Sequence, residues 1–447
     1  MATRFAPSGP LRGALRPPSD KSISHRAALI AAISEGETRI EGFLDAADTN
    51  STLDAVAELG AETGTVQTTV SVPAGAAPVP PTREALLIRG VGLRGPRPAA
   101  IDVGNAGTLL RLLPGWLAGQ EGGKWTLDGD DSIRRRPVDR VAAPLREMGA
   151  DLSCEDDRLP PLVVRGVPLR GIEYELPVAS AQVKSCLLFA GLLAEGETRV
   201  VEPLPTRDHS ERMLAAAGAE VRREKGADGL GGSVVIQPAT RLEVERIVVP
   251  ADLSSAAFFV VAGLLVAGSE LQIREVGLNP TRIGLLSILE RMGAEIEATP
   301  IGEQGGEPTG DLRVVASALQ GTEVGGAEVP LAIDELPLVA LAACFAEGTT
   351  TIRDAAELRR KESDRIETVT AALSALGGRV EPTADGLVVE GTGGLRGGTI
   401  DSHGDHRIAM LGAVAGLASR EGVEVRGMDA AAVSYPGFEA DLASLLG

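Results

Sequence analysis

A segment that recurs six times leaves this chain few ways to fold. A glycine-containing turn, a short β-branched run, a loop and an amphipathic stretch ending in glycine appear in EGETRIEGFLDAADTNSTLDAVAELGA, EGETRVVEPLPTRDHSERMLAAAGAEV, AGSELQIREVGLNPTRIGLLSILERMGAEIE and EGTTTIRDAAELRRKESDRIETVTAALSALGGRV. Two weaker copies begin GGKWTLDGDDS and EGVEVRGMDAA. The turn glycines, Gly36, Gly123, Gly196, Gly268, Gly348 and Gly422, lie 87, 73, 72, 80 and 74 residues apart. Self-similarity at such a period means that one supersecondary unit is used repeatedly. In each copy the turn and β-branched run predict a strand, and the Leu/Ala/Met spacing after it predicts a helix stopped by glycine. In LLSILERMGAEIE, Leu285, Leu286, Leu289 and Met292 share a face and Gly293 ends the helix. Segments 256–266 and 336–345 are apolar all round, which predicts buried helices. Stretches 73–81 and 301–310 are rich in Gly and Pro and predict hairpin-like loops or flexible tips. A chain of 447 residues exceeds one ordinary core, so six units imply an α/β protein with two cores of three. One cleft between two lobes is then the expected ligand site.

Charge narrows the function. With 43 Lys and Arg against 62 Asp and Glu, the net charge of −19 repels nucleic acids and anionic membranes, so any anion site must be concentrated. The three cysteines, Cys154, Cys186 and Cys344, give no disulfide framework and fit a reducing compartment. No apolar run suited to a signal peptide follows Arg4, Arg12 and Arg16, and the longest apolar stretch, 256–268, is too short to span a bilayer. A cytoplasmic protein is expected. Gly90, Gly92 and Gly95 spell GxGxxG, but Pro96 and Pro98 forbid the helix that would hold a dinucleotide. His403 and His406 are read as hydrogen-bonded histidines rather than metal ligands.

Several short motifs instead gather cations at helix starts. In Pro18–Arg26, Ser19 or Asp20 caps a helix, Lys21 and Ser22 occupy its first turn, and Arg26 faces the same way as Ser22. Small residues in Gly104-Asn105-Ala106-Gly107-Thr108 let backbone amides approach an anion, with Arg111 one turn later. Pro137 suits a first helical position, which places Arg136 of the Arg134–Arg136 run beside a helix start. Ser180 to Lys184 opens an apolar helix, and Arg207 precedes a cap. Along 358–365 the charges read as one helix on which Lys361 and Arg365 share a face, with Glu362 about a third of a turn away. Asp334 and Asp405-His406-Arg407 each stand before a buried helix. Each motif alone fits a capped helix, a plain turn or a solvated charged face; their joint presence in an acidic chain points to an anion site.

Taken in order, DKSISHR, GNAGT, RRP, SAQVK, RDHS, KESDR and DHRIAM closely resemble the 5-enolpyruvylshikimate-3-phosphate (EPSP) synthase family from Ser19 to Pro436, and SAQVK, RDHS and NPTR resemble its class II subgroup. The resemblance implies the enolpyruvyl transferase fold, a two-lobed inverse α/β barrel-like arrangement of six βαβαββ-type repeats. Lobe one would hold 1–19 and 252–447, lobe two 20–251, with hinges near Asp20 and Asp252 and the active site in the interlobe cleft. It also implies transfer of the enolpyruvyl group of phosphoenolpyruvate to the 5-hydroxyl of shikimate 3-phosphate by addition and elimination, releasing phosphate. Shikimate 3-phosphate contacts would fall on Lys21, Ser22, Arg26, Ser180, Gln182, Arg207, Asp334 and Lys361. Phosphoenolpyruvate contacts would fall on Lys21, Gly107, Arg136, Arg365 and Arg407, and proton transfer on Lys21, Asp334 and Glu362. No cofactor, metal, nucleic acid or membrane partner is implied, and a monomer is expected. The small Gly107 matches members inhibited by glyphosate. Two positions depart from the family: Val433 stands where many members have Lys, and Ala181 where many have a second Ser. The alternatives are the UDP-N-acetylglucosamine enolpyruvyl transferases, which have Lys-Asn where Lys21-Ser22 stands here, and a non-catalytic anion-binding repeat scaffold.

Overall fold

The structure, a computed structural model, describes residues 2–69, 82–226 and 231–446. The loop expected at 73–81 lies outside the described residues. The chain divides into two compact units: Met1–Pro18 with Ala251–Gly302 and Pro308–Gly447, and Ser19–Pro250 with Glu303–Glu307. Each is built on its own hydrophobic cluster.

The repeats appear as small open sheets, and no closed barrel occurs among the described strands. The unit beginning at Ala100–Asp102 shows the plan. That strand runs parallel to Lys124–Asp128, which pairs antiparallel with Leu159–Arg165, which pairs in turn with Asp151–Glu155. Helices Gly107–Ala118 and Asp139–Glu147 make the two crossings, giving β-α-β-α-β-β. Five four-stranded sheets repeat this order, but two borrow the parallel edge strand from a distant part of the chain. Arg246–Val248 closes the sheet of Glu37–Glu41, and Arg12–Leu15 closes that of Glu270–Gly277. The sixth sheet has three strands, because no hairpin follows Val423–Arg426 and Ala2–Phe5 pairs with that strand instead. That explains why the sixth copy is weak in the sequence.

Helices Lys21–Ile33, Gly107–Ala118 and Ala181–Gly191 fill the second unit, and Leu253–Leu265, Leu336–Phe345 and His406–Ala418 fill the first. They are buried on nearly every side. Each Leu, Val or Phe so enclosed contributes about 1.5–3 kcal/mol. A Cβ on Gly115 would lie 2.1 Å from the carbonyl oxygen of Cys186, so glycine is what lets two of these helices touch. A helix with no polar side can present functional groups only at its ends. The N-terminal ends are where they are found, capped by Asp20, Ser180, Asp252 and Asp405.

The helix predicted at 285–293 is observed as Gly284–Arg291, with Leu285, Leu286, Leu289 and Met292 buried and Gly293 at φ +93°. The 301–310 stretch forms a hairpin, as expected, but its strands Glu295–Gln304 and Glu307–Val315 run up to a two-residue turn, Gly305-Gly306, at φ +61° and +81°. Among the described residues no helix is long and apolar enough to cross a membrane.

Candidate active site

In the second unit, Asp20 accepts the Ile23 N–H at 2.8 Å and starts the helix that carries Lys21, Ser22 and Arg26. Lys21 Nζ lies 2.9 Å from Asp48 Oδ2, in the first turn of helix Ala47–Glu58. Asp48 was not foreseen; only its place shortly after the first repeat strand signals it. Arg26 is buried, and its guanidinium is held on three sides. Nε donates to Ser210 Oγ at 2.7 Å, Nη1 to the Ser22 carbonyl at 2.9 Å and Nη2 to Ser185 Oγ at 3.0 Å. Burial lowers its pKa to about 10, with Glu211 and Asp20 opposing and Arg207 adding to the fall, so it stays a cation at neutral pH. Between them, His25 bonds Thr52 Oγ1 through Nδ1 at 2.6 Å, and burial followed by the charges of Lys21 and Arg26 pushes its pKa down to about 3. His25 is therefore neutral.

Gly107 is the first residue of its helix. A Cβ there would sit 2.8 Å from Arg136 Nη1 and 3.1 Å from Arg111 Nη1, so two guanidiniums occupy the space that a side chain would take. Arg136 arrives by a different route from the one expected. Asp130 accepts the N–H groups of Ser132 and Ile133, each at 2.9 Å, folding the 3-10 turn Ile133–Arg135. Arg136 follows in extended conformation, and the helix begins only at Asp139, so Pro137 is not its first residue. Arg134 pairs with Asp128 at 2.8 Å on the surface. Ser180 caps helix Ala181–Gly191 by accepting the Val183 N–H at 3.4 Å. Gln182 Nε2 lies 3.5 Å from Thr108 Oγ1 beside Gly107, and Ser185, one turn further on, holds Arg26, so this helix joins the two clusters.

The first unit carries a mixed cluster. The helix expected over 358–365 is broken: a 3-10 turn, Ala356–Arg360, is followed by bends, and helix Arg365–Ala375 starts afresh with Asp364 as cap. Lys361 and Arg365 therefore do not share a helix face; they meet at Asp334. Lys361 Nζ is 3.3 Å and Arg365 Nη1 3.5 Å from Asp334 Oδ1. Arg365, almost fully buried, also donates to Asp405 at 2.8 and 3.2 Å and to Glu362 Oε2 at 2.6 Å. Ser363 Oγ donates to Asp405 at 3.0 Å and pins the break. Arg407 Nη1 donates to the Asp334 carbonyl at 3.1 Å. Glu335, also not foreseen, is completely buried and accepts from Arg282 at 3.1 and 3.2 Å and from Arg407 at 3.4 Å. Four acids, Asp334, Glu335, Glu362 and Asp405, thus face four cations, Arg282, Lys361, Arg365 and Arg407.

Desolvation works against ionisation of Glu362, but the charges of Arg365 and His406 outweigh it and bring the carboxyl down to about 2. The same contest, burial against Arg365, leaves Asp405 below its ordinary value, while Glu362 and Asp405 overcome burial and hold Arg365 charged. At the departing positions, Ala181 opens its helix without a hydroxyl, and Val433 ends the 3-10 turn Met428–Val433 exposed, where an apolar side chain offers no cation. No group of three or more metal-ligating side chains occurs among the described residues.

The chain as a whole is similar to known proteins. The model of the family described as EPSP synthase (3-phosphoshikimate 1-carboxyvinyltransferase) matches residues 5–442. A 3-phosphoshikimate 1-carboxyvinyltransferase of Anaeromyxobacter sp. (strain Fw109-5) is 51% identical over 439 residues, covering 98% of this chain and 96% of that one. One of Synechococcus sp. (strain JA-3-3Ab) is 47% identical over 445 residues, covering 99% and 96%. A solved EPSP synthase from Acinetobacter baumannii superimposes with a TM-score of 0.85 at 39% identity, covering 100% of this chain and 98% of that one.

Proposed function

Since the chain belongs to the EPSP synthase family, we propose that it transfers the enolpyruvyl group of phosphoenolpyruvate to the 5-hydroxyl of shikimate 3-phosphate and releases phosphate. The observation that carries this reading is Glu362, a carboxylate set among cations beside a second acid, Asp334. The reaction needs a group that gives a proton to C3 of the enolpyruvate and later takes one back. In the first step the 5-hydroxyl oxygen bonds to C2, its proton leaves to a base, and C3 gains a proton, giving a tetrahedral ketal. In the second, C3 loses a proton, the C2–O bond to phosphate breaks and the double bond returns.

In this reading Glu362 is the C3 acid and then base. Bound phosphate and carboxylate groups offset Arg365 and desolvate the carboxyl, and both effects raise its pKa toward the range a proton donor needs. Asp334 orients or deprotonates the 5-hydroxyl, with Lys21 sharing in the proton transfer. Arg26, Ser22, Ser180, Gln182, Arg207 and Lys361 bind shikimate 3-phosphate, and Gly107, Arg136, Arg365 and Arg407 receive phosphoenolpyruvate. Charge-assisted bonds of this kind each contribute about 1.5–3 kcal/mol. We further place the protein in the cytoplasm as a monomer inhibited by glyphosate, an anion that would sit over Gly107.

Phosphate release separates the readings. It is expected with shikimate 3-phosphate and phosphoenolpyruvate together and with neither alone. Release only when UDP-N-acetylglucosamine replaces shikimate 3-phosphate, or no release with any acceptor, refutes the assignment.

A further inference from the structure

Lys184 is completely enclosed in the second unit, with its ammonium 2.7 Å from Glu211 Oε1 and 2.9 Å from Glu202 Oε1, both carboxylates also being buried. Buried ions are costly to desolvate, and an apolar trio of the same volume is often as stable. Stability alone is therefore a poor reason for them to be here. Their neighbours supply a better one. Ser185 follows Lys184 and Ser210 precedes Glu211; the two hydroxyls lie 2.7 Å apart, and they are the two that accept from Arg26.

The two helices joined in this way both lead to the candidate site. Ala181–Gly191 bears Gln182 in its first turn and Ser180 at its cap, and His209–Ala216 is entered through Arg207. Glu202 adds a third anchor, the end of strand Thr198–Glu202. A shift of either helix by a fraction of a turn would part the two serines and release the guanidinium. Among the described residues, those two hydroxyls are what tie the Arg26 guanidinium to these helices.

We propose that the Lys184–Glu211 ion pair is a positioning device for shikimate 3-phosphate binding: it holds the two helices in the register at which Ser185 and Ser210 aim Arg26. The inference rests on the function proposed above. Lys184 and Glu211 touch no substrate, since both are sealed from solvent; they act through Arg26.

Glu211→Gln tests it, because the variant keeps the shape and leaves Lys184 paired one-to-one with Glu202. Calorimetry with shikimate 3-phosphate is expected to show affinity lower by about tenfold, the equivalent of one charge-assisted hydrogen bond. The KM for phosphoenolpyruvate should stay within about twofold, a factor that corresponds to under 1 kcal/mol. Ser210→Ala, which removes only a hydroxyl, should give the same split, and the double variant should lose little more than either alone. A Glu211→Gln protein that melts earlier yet binds shikimate 3-phosphate as tightly as the parent overturns the proposal, since a purely structural ion pair behaves that way. If the parent itself neither binds shikimate 3-phosphate nor releases phosphate, the functional reading has failed instead. The Arg26 Nε–H resonance then decides the positioning claim alone: a shifted, faster-exchanging signal in Glu211→Gln supports it, and an unchanged one refutes it.

Discussion

Replacing Gly107 by alanine puts a single carbon where two guanidiniums already are. At 2.8 Å from Arg136 Nη1 and 3.1 Å from Arg111 Nη1 the new methyl cannot be tolerated unmoved, and the atoms in its way are the ends of long side chains rather than backbone. Gly107 does not have a positive φ, so the backbone accepts a Cβ there without strain. Folding is thus little affected, and the cost falls on the positions of the two guanidiniums, Arg136 above all because it is the nearer. Loss of one charge-assisted contact, about 1.5–3 kcal/mol, corresponds to roughly a ten- to hundredfold rise in the KM for phosphoenolpyruvate. Glyphosate, read as occupying the same ground, should lose at least as much. Steady-state kinetics with both substrates, glyphosate inhibition and a thermal melt measure all of this on one preparation. An unchanged KM for phosphoenolpyruvate with a lowered melting temperature would show that the backbone, not Arg136, gave way, and the reasoning would be wrong.

Glu362→Gln should lower kcat by about 100-fold or more, a usual scale for loss of a positioned proton donor, while calorimetry finds shikimate 3-phosphate binding close to that of the parent; normal turnover would end its assignment as the C3 acid. Because the folded pKa of Glu362 lies near 2, below its ordinary value of 4.5, its contribution to stability is present above about pH 4.5 and disappears as the pH falls toward 2; denaturant titrations should lose that acid dependence in Glu362→Gln. His25 acts at higher pH. Its folded pKa of about 3 lies below the ordinary 6.5, so the unfolded chain takes up the proton first and stability falls as the pH drops from 6.5 toward 3, at up to about 1.4 kcal/mol per unit. His25→Asn should flatten the curve over that window; an unchanged slope would mean that His25 is not the titrating group. Gly115→Ala, whose methyl would meet the Cys186 carbonyl oxygen at 2.1 Å, should cost about 1–3 kcal/mol of stability by overpacking, read as a lower urea midpoint at constant m-value.

How far the sequence speaks for the structure depends on how far apart the interacting residues lie. The repeats were legible because each strand and helix carries its own periodicity, and the helix starts at Asp20 and Asp405 because a cap acts on amides two or three residues away. The two misreadings were also local, but there one signal hid another. Along 358–365 the spacing of charges imitates a helix, and Asp364, which takes the N–H groups of Ile366 and Glu367, marks the true start. At Arg136 the proline drew the helix two residues too early, although Asp130 was already placed to fold the turn before it. The residues missed altogether are of another kind. Asp48 answers Lys21 across 27 residues, Glu211 answers Lys184 across the same distance, and Glu335 meets Arg282 and Arg407 across 53 and 72. Nothing beside an acid in the chain records that it will be buried against a cation so far away; that follows only once the sheets and central helices have fixed which N-termini stand together. The same holds for the strands borrowed from Arg12–Leu15 and Arg246–Val248, whose short sequences say strand but not partner. Motifs therefore carry the side chains that the proposed function offers to the ligand, and the fold supplies the buried charges packed behind them, which is why the Glu211 variant tests more of the folded architecture than any change to a motif residue.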